Sequence, residues 1–208
     1  MVAEKLRIFK FCTSTVGVVY VWCLPVLSKI GFSEEGSTSV SAFIANPPAT
    51  GAMASVSFMP MTLMWQYQNI VASRLDNKRI EKILENSLCG YQVCYCMFLI
   101  CTDSYVPDSL HFATVFLFCL SFFVHSGCIV RYLDPCVVTK GIFGVGTSSL
   151  VALIGLLVTN NEDTMWFWGL ECVGLTSMFL FTPIEWVFVL NPTLKESLRH
   201  LDITQTVN

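Results

Sequence analysis

The sequence predicts an all-α polytopic membrane protein: a bundle of six transmembrane helices with both termini in the cytoplasm. The first observation is composition, because 54% of the 208 residues are hydrophobic and only 13% are charged, about half the charge of a typical soluble domain. The second is that the charges fall in short clusters between apolar stretches long enough to cross roughly 30 Å of hydrocarbon. The third is a one-sided distribution of Lys and Arg. Together they exclude a soluble globular class.

Six apolar windows are predicted to span the membrane, and they make the chain a single integral membrane domain, 1–208. The second contains Pro60, and we count it as a span because neighbouring helices can satisfy the backbone groups that a proline frees. The third has only 15 residues, short for a span of about 20, and the basic residues favour a complete crossing. The windows lie near 11–28, 51–72, 88–102, 110–130, 141–158 and 166–190.

The first window follows a charged segment, as the core of a signal peptide would. The residues after Ser28 are Lys-Ile-Gly-Phe, which do not form a small-x-small cleavage site. We therefore expect an uncleaved signal anchor.

Lys and Arg fix the predicted orientation. Lys29 alone lies on the outer side, at the end of the first window, where its long stem can reach the interface. Since cytoplasmic loops carry the excess of basic residues, this segregation favours six spans with both termini inside. The 11 basic residues on the cytoplasmic side are Lys5, Arg7, Lys10, Arg74, Lys78, Arg79, Lys82, Arg131, Lys140, Lys195 and Arg199.

Two connecting segments have a pattern of their own. Residues 29–50 are rich in Ser, Gly and Pro, and we expect them to fold against the outer helix ends. Residues 73–86 mix both charge signs, with apolar residues spaced for one helical face. They fit either an interfacial helix that continues the third span or a helix that binds a partner.

Four ionisable side chains lie inside predicted spans: His111 and His125 in the fourth, Glu171 and Glu185 in the sixth. Each costs roughly 2.5–3.5 kcal/mol at the centre of a span, so they are candidate functional residues. Each pair is 14 residues apart and shares one helix face. If His111 meets Glu171 and His125 meets Glu185, the pairs form a proton or metal path. The alternatives are wetted interfacial groups and, for His125, a structural histidine bonded to a Ser or a backbone carbonyl of a neighbouring helix.

The sequence does not favour an enzyme. An intramembrane zinc hydrolase needs several His ligands close together, whereas His111 and His125 are far apart along one helix. Nucleotide-binding loops and a nucleophile elbow are absent from the sequence, so we predict no catalytic residues, metal ligands or cofactors. The glycine run at 141–146 fits close helix packing, with Gly144 and Ser148 in small-xxx-small spacing.

The ten cysteines are predicted to lie within spans or on the cytoplasmic side, where most serve as small packing residues. Cys89 and Cys136 lie near the inner interface. They are candidate palmitoylation sites.

Three local features resemble the DRAM/Sfk family of six-span eukaryotic membrane proteins. They are the Ser/Pro/Gly segment Ser39–Gly51 before the second span, the His-led segment Leu110-His111-Phe112 at the start of the fourth, and Glu185-Trp186 in the last. The family includes autophagy modulators and a relative that acts in GPI-anchor lipid remodelling. The resemblance implies an endomembrane (lysosome, Golgi or ER) or plasma-membrane protein without a catalytic motif.

The predicted function is therefore the modulation of lipid handling or membrane trafficking, related to autophagy or GPI anchors and not self-sufficient in catalysis. The predicted partners are membrane lipids. Nucleic acid is excluded as a partner, since the net charge is −3 and no basic stripe occurs. Two alternatives remain: a small transporter or channel subunit that uses the His/Glu face, and an accessory subunit that contacts other subunits of a larger membrane complex.

Overall fold

The computed structural model describes residues 2–35, 37–72, 75, 77–102, 106–159 and 165–189. These ranges fold into helices, with no strand among them. The elements are α1 (Val2–Ser28), α2 (Val40–Phe43), α3 (Pro47–Ala72), α4 (Lys78–Ile100), α5 (Asp108–Leu133), α6 (Val137–Val158) and α7 (Met165–Val189).

Five segments of the described chain are helices long and apolar enough to cross a membrane. This supports the predicted integral membrane protein with several spans. The helix α3 is not among the five, because its Pro, Gly, Ser and Thr residues lower its hydropathy and Gln66, Gln68 and Asn69 make its last turns polar. The five segments are Ile8–Ser28, Lys78–Ile100, Ser109–Leu133, Val137–Val158 and Met165–Glu185.

Long helices that follow one another along the chain run antiparallel, and their end contacts show the direction of α3. Thr50 at the start of α3 has its hydroxyl 3.5 Å from that of Thr102, just after α4. Near the other end of α3, Lys10 Nζ of α1 donates to Gln66 Oε1 over 2.7 Å. Helix α3 therefore packs antiparallel to both α1 and α4, while α7 packs against α1, α3 and α6. We call the bundle end that carries residues 29–46 the loop end, and the end that carries Lys10 the basic end.

Residues 29–35 and 37–46 cover the loop end, as predicted from the composition of this segment. Their apolar side chains Val40, Phe43 and Ile44 are buried, and the short helix α2 begins at Ser39, whose Oγ accepts from Ala42 N. The sequence did not predict α2. Three further hydrogen bonds tie this part of the chain together: Tyr20 Oη to Ala49 O (2.7 Å), Ser33 Oγ to Leu24 O (2.9 Å) and Asn46 Nδ2 to Phe32 O (3.2 Å).

The third predicted span was drawn too short. Helix α4 begins at Lys78, ten residues before the predicted window 88–102. Its first turns carry charged residues, which lower their hydropathy, so the predicted window did not include them. Leu84, Leu88 and Tyr91 nevertheless form one buried face. Asn77 caps the helix by accepting from Arg79 N (3.0 Å). The interpretation of this segment as a helix that continues the third span is therefore confirmed from Lys78 onwards.

Small residues let α6 and α7 approach closely, but they are not the ones predicted. A Cβ atom added to Gly146 would lie 3.0 Å from Ser177 Cβ, and one added to Gly174 would lie 3.3 Å from Ser149 Oγ. A Cβ at Gly144 would meet nothing within 4 Å. The prediction for Gly144 and Ser148 was wrong because the α7-facing side of α6 lies two residues further on, about 200° around the helix.

Candidate functional site: an apolar cleft between helices α5, α6 and α7

The structure does not bring the predicted His–Glu pairs together. Glu185, 1% exposed, instead bonds the start of α6. Its Oε2 accepts from the backbone N–H of Cys136 (3.2 Å) and from the hydroxyl of Thr139 (2.6 Å). Cys136 is the N-cap of α6 and makes no cap bond with its own side chain. A carboxylate of α7 thus caps α6 from outside.

Glu171 and His111 also bond helix ends. Glu171 Oε2 accepts from the backbone N–H of Val40, the first residue of α2. The Nδ1 atom of His111 donates to the carbonyl oxygen of Cys101, the C-cap of α4, over 2.8 Å. The carboxylates therefore lie at helix N-termini and the imidazole at a helix C-terminus, the arrangement that the helix dipole favours.

His125 has a different environment. It is 1% exposed, its Nδ1 lies 2.9 Å from Ser87 Oγ of α4, and its ring stacks on Tyr91 with 6.4 Å between centroids. The alternative of a histidine bonded to a Ser on a neighbouring helix describes this contact. His125 faces α4 whereas Glu185 faces α6, so the two side chains serve different helix interfaces.

An apolar cleft of about 570 Å³ lies between α5 on one side and α6 and α7 on the other. The two walls meet towards the basic end, where the rings of Phe123 and Phe143 are 6.0 Å apart. Among the cleft-lining residues, Phe116 is 61% and Val151 65% exposed. The cleft is therefore open sideways, towards the region that a bilayer would fill.

The cleft follows the helices over a defined depth. It extends from Phe112 to Phe123 along α5 and from Gly146 to Leu157 along α6. Eleven positions of helix correspond to about 16 Å. This length is close to half of a hydrocarbon core of roughly 30 Å, that is, one leaflet.

Polar groups are few in the cleft, and the charged one lies at the loop end. Glu171 lines this end together with Ser41 of α2. Thr147 and Ser149 of α6 lie deeper, and both hydroxyls donate to carbonyls of their own helix. Among the described residues that line the cleft there is no Lys, Arg or His. The cleft is thus an apolar cavity with one carboxyl group at its loop end.

The sequence pointed to Glu171 but not to the cleft. Positions that face lipid and positions that face a cleft are both apolar, so periodicity does not separate them. The available signal was a carboxylate inside a span, which we assigned to a histidine partner. No sequence feature indicated that Ser41, Thr147 and Ser149 line a cleft.

Other predicted features of the site have no test in the structure. The thiol of Cys89 is exposed and that of Cys136 is partly buried, with Sγ 3.2 Å from Thr139 Oγ1. Their palmitoylation stays a prediction. In the described ranges no group of three or more His, Cys, Asp or Glu side chains could hold a metal ion.

No family model, curated protein or solved structure matches this chain. The resemblance to the DRAM/Sfk family therefore stays a prediction.

Proposed function

We propose that this protein modulates lipid handling in its membrane by holding one lipid molecule in the cleft between α5, α6 and α7. The cleft itself is the observation that carries the proposal. Its volume of about 570 Å³ falls within the roughly 300–1,000 Å³ of ordinary ligand pockets. Its apolar lining suits an acyl chain.

The position of the cleft favours a lipid over a water-soluble ligand. The opening passes between α5 and α6, past exposed side chains such as Phe116 and Ile154. In a membrane this side faces hydrocarbon, so the molecules that can enter are lipids of the leaflet at the loop end. A depth of about one leaflet allows a lipid chain to enter without leaving its own layer.

The proposed activity is binding and presentation of a lipid, without self-sufficient catalysis. It agrees with the lipid remodelling and trafficking roles that the resemblance to the DRAM/Sfk family implies, in an endomembrane or at the plasma membrane. The His/Glu path of the transporter alternative gains no support from the contacts of Glu171 and Glu185, which bond helix ends.

We further propose six spans with both termini in the cytoplasm. Helix α1 ends at the loop end and α4 begins at the basic end, so the chain must return between Ser28 and Lys78. Helix α3 has 26 residues, about 39 Å at 1.5 Å per residue, which exceeds the hydrocarbon thickness. The basic end would face the cytoplasm because it carries the Lys and Arg excess.

Cysteine labelling on the two sides of α3 tests this topology. In a cysteine-free background, Ser37→Cys and Asn77→Cys should react with a membrane-impermeant maleimide from opposite sides. Asn77→Cys should react once the cytoplasmic side is opened, and Ser37→Cys only from the lumen or the cell exterior. Asn161→Cys should follow Ser37→Cys, and Gln205→Cys should follow Asn77→Cys. Reaction of Ser37→Cys and Asn77→Cys from one side would refute a crossing by α3.

Blocking the cleft should reduce lipid binding. Leu150 of α6 lines the cleft, and Leu150→Trp would place an indole ring in the space that the lipid chain would occupy. Since overpacking costs about 1–3 kcal/mol, we expect roughly a five- to hundredfold loss of cleft labelling by a lipid with a photoreactive acyl chain. The measurement is cross-linking in nanodiscs, with the labelled peptides mapped by mass spectrometry.

Val145→Trp is the matched control, because Val145 lies on the same helix, is 53% exposed and does not line the cleft. It should label like the parent protein. Equal labelling of both Trp variants would contradict the proposal. A second membrane protein that co-purifies in stoichiometric amount, with no lipid label in the cleft, would favour the accessory-subunit alternative.

A further inference from the structure

The loop end of the cleft carries a carboxyl group, that of Glu171, and no Lys, Arg or His is among the described residues that line the cleft. Glu171 lies six residues into α7, about 9 Å from the start of the helix. Its Oε2 accepts from Val40 N–H.

A carboxylate in apolar surroundings is costly unless a cation and hydrogen-bond donors accompany it. The backbone N–H of Val40 meets part of this requirement. An ammonium group at the loop end of the cleft would meet the rest, because it would stabilise the ionised form of Glu171 and leave the occupied site electrically neutral. A ligand with a phosphate or carboxylate at this position would place two like charges side by side.

We propose that the cleft selects a long-chain amine. Its alkyl chain would fill the apolar part of the cleft, and Glu171 would bind its ammonium group. The proposal rests on the proposed function, since it names the class of lipid that the same cleft holds. The chain would run along α5 and α6 from Phe112 towards Phe123. Ser41 lines the same end, and its hydroxyl provides a second polar contact for the ammonium group.

The test uses three photoreactive probes with the same diazirine-bearing alkyl chain and different polar groups: a primary amine, an alcohol and a carboxylic acid. Each is added to the full-length protein in nanodiscs of phosphatidylcholine, which carries no net charge, and cleft cross-linking is quantified per probe incorporated. Because a hydrogen bond to a charged group is stronger than a neutral one by about one power of ten in affinity, the amine should label roughly tenfold more than the alcohol. The acid should label least.

Replacing the carboxyl group of Glu171 should remove the preference for the amine probe and leave the apolar part of the cleft unchanged. Glu171→Gln keeps an acceptor oxygen for Val40 N–H but has no charge, so labelling by the amine should fall to the level of the alcohol, while labelling by the alcohol stays. Glu185→Gln is the matched control, because Glu185 lies on the same helix, is buried and bonds α6 without lining the cleft. It should keep the tenfold preference.

The outcomes separate this proposal from the proposed function. Labelling of the cleft that is equal for the three probes, yet sensitive to Leu150→Trp, would overturn the amine selectivity and leave lipid binding in place. Absence of cleft labelling by all three probes would overturn both. The preference of the parent protein is measured without any variant, so a folding defect in Glu171→Gln would not prevent the test.

Discussion

Replacing Glu185 with alanine is expected to lower the free energy of unfolding by about 3 kcal/mol. The carboxylate is 1% exposed and accepts two hydrogen bonds at the start of α6, from Cys136 N–H and the Thr139 hydroxyl. A buried donor that loses its acceptor costs about 1–3 kcal/mol, and Glu185→Ala would leave two such donors. The loss of stability is large because the side chain of Cys136, the N-cap residue, makes no cap hydrogen bond to α6.

The measurement is reversible unfolding in mixed micelles, followed by circular dichroism. Glu185→Gln keeps an acceptor oxygen and should lose about 1 kcal/mol, the part contributed by the charge. A double-mutant cycle of Glu185→Ala with Thr139→Val should give a coupling energy of about 1 kcal/mol or more.

Ser148→Ala is the control, since Ser148 is exposed and its hydroxyl donates to a carbonyl of its own helix, Gly144 O. It should leave stability unchanged. A Glu185→Ala protein as stable as the parent would mean that the contact with α6 contributes nothing to the fold.

Hydropathy predicted the membrane helices well because length and apolarity are properties of a single helix. Its windows failed where a helix extends beyond the apolar layer, as α4 does from Lys78 to the predicted start at residue 88. The predicted window 51–72 falls within α3, but the most apolar stretch of α3 is less apolar than those of the five helices that qualify as membrane spans. The proposal that α3 crosses the membrane rests instead on the one-sided distribution of basic residues.

The pairing of His125 with Glu185 failed for a different reason. A 14-residue spacing places two residues on one face of their own helix, but it does not say which neighbour that face meets. The rotation of each helix is set by packing contacts such as Gly146 against Ser177, which involve residues far apart in sequence. The helix ends were a missed signal, since α6 has Cys136 at its N-cap position, and cysteine is not among the residues suited to an N-cap.

A structural role for His125 predicts a second large effect. His125→Ala should lower the free energy of unfolding by about 3 kcal/mol, because it removes a ring that is 1% exposed and stacks on Tyr91. His125→Phe keeps the ring and loses the bond to Ser87, so the loss should be about 0.6–1.7 kcal/mol, the range of interhelical hydrogen bonds in membranes. Both values are measured by the unfolding assay used for Glu185.

Coupling energies then distinguish a structural role of His125 from a role in proton transport. His125→Phe and Ser87→Ala should be non-additive, since they remove the same bond. His125→Phe and Glu185→Gln should be additive, because the first side chain contacts α4 and the second contacts α6. In proteoliposomes, His125→Gln should leave any pH-driven flux at the level of the parent protein. Flux that is lost in His125→Gln and in Glu185→Gln, with no further loss in the double variant, would instead require the two residues to act together in a proton path.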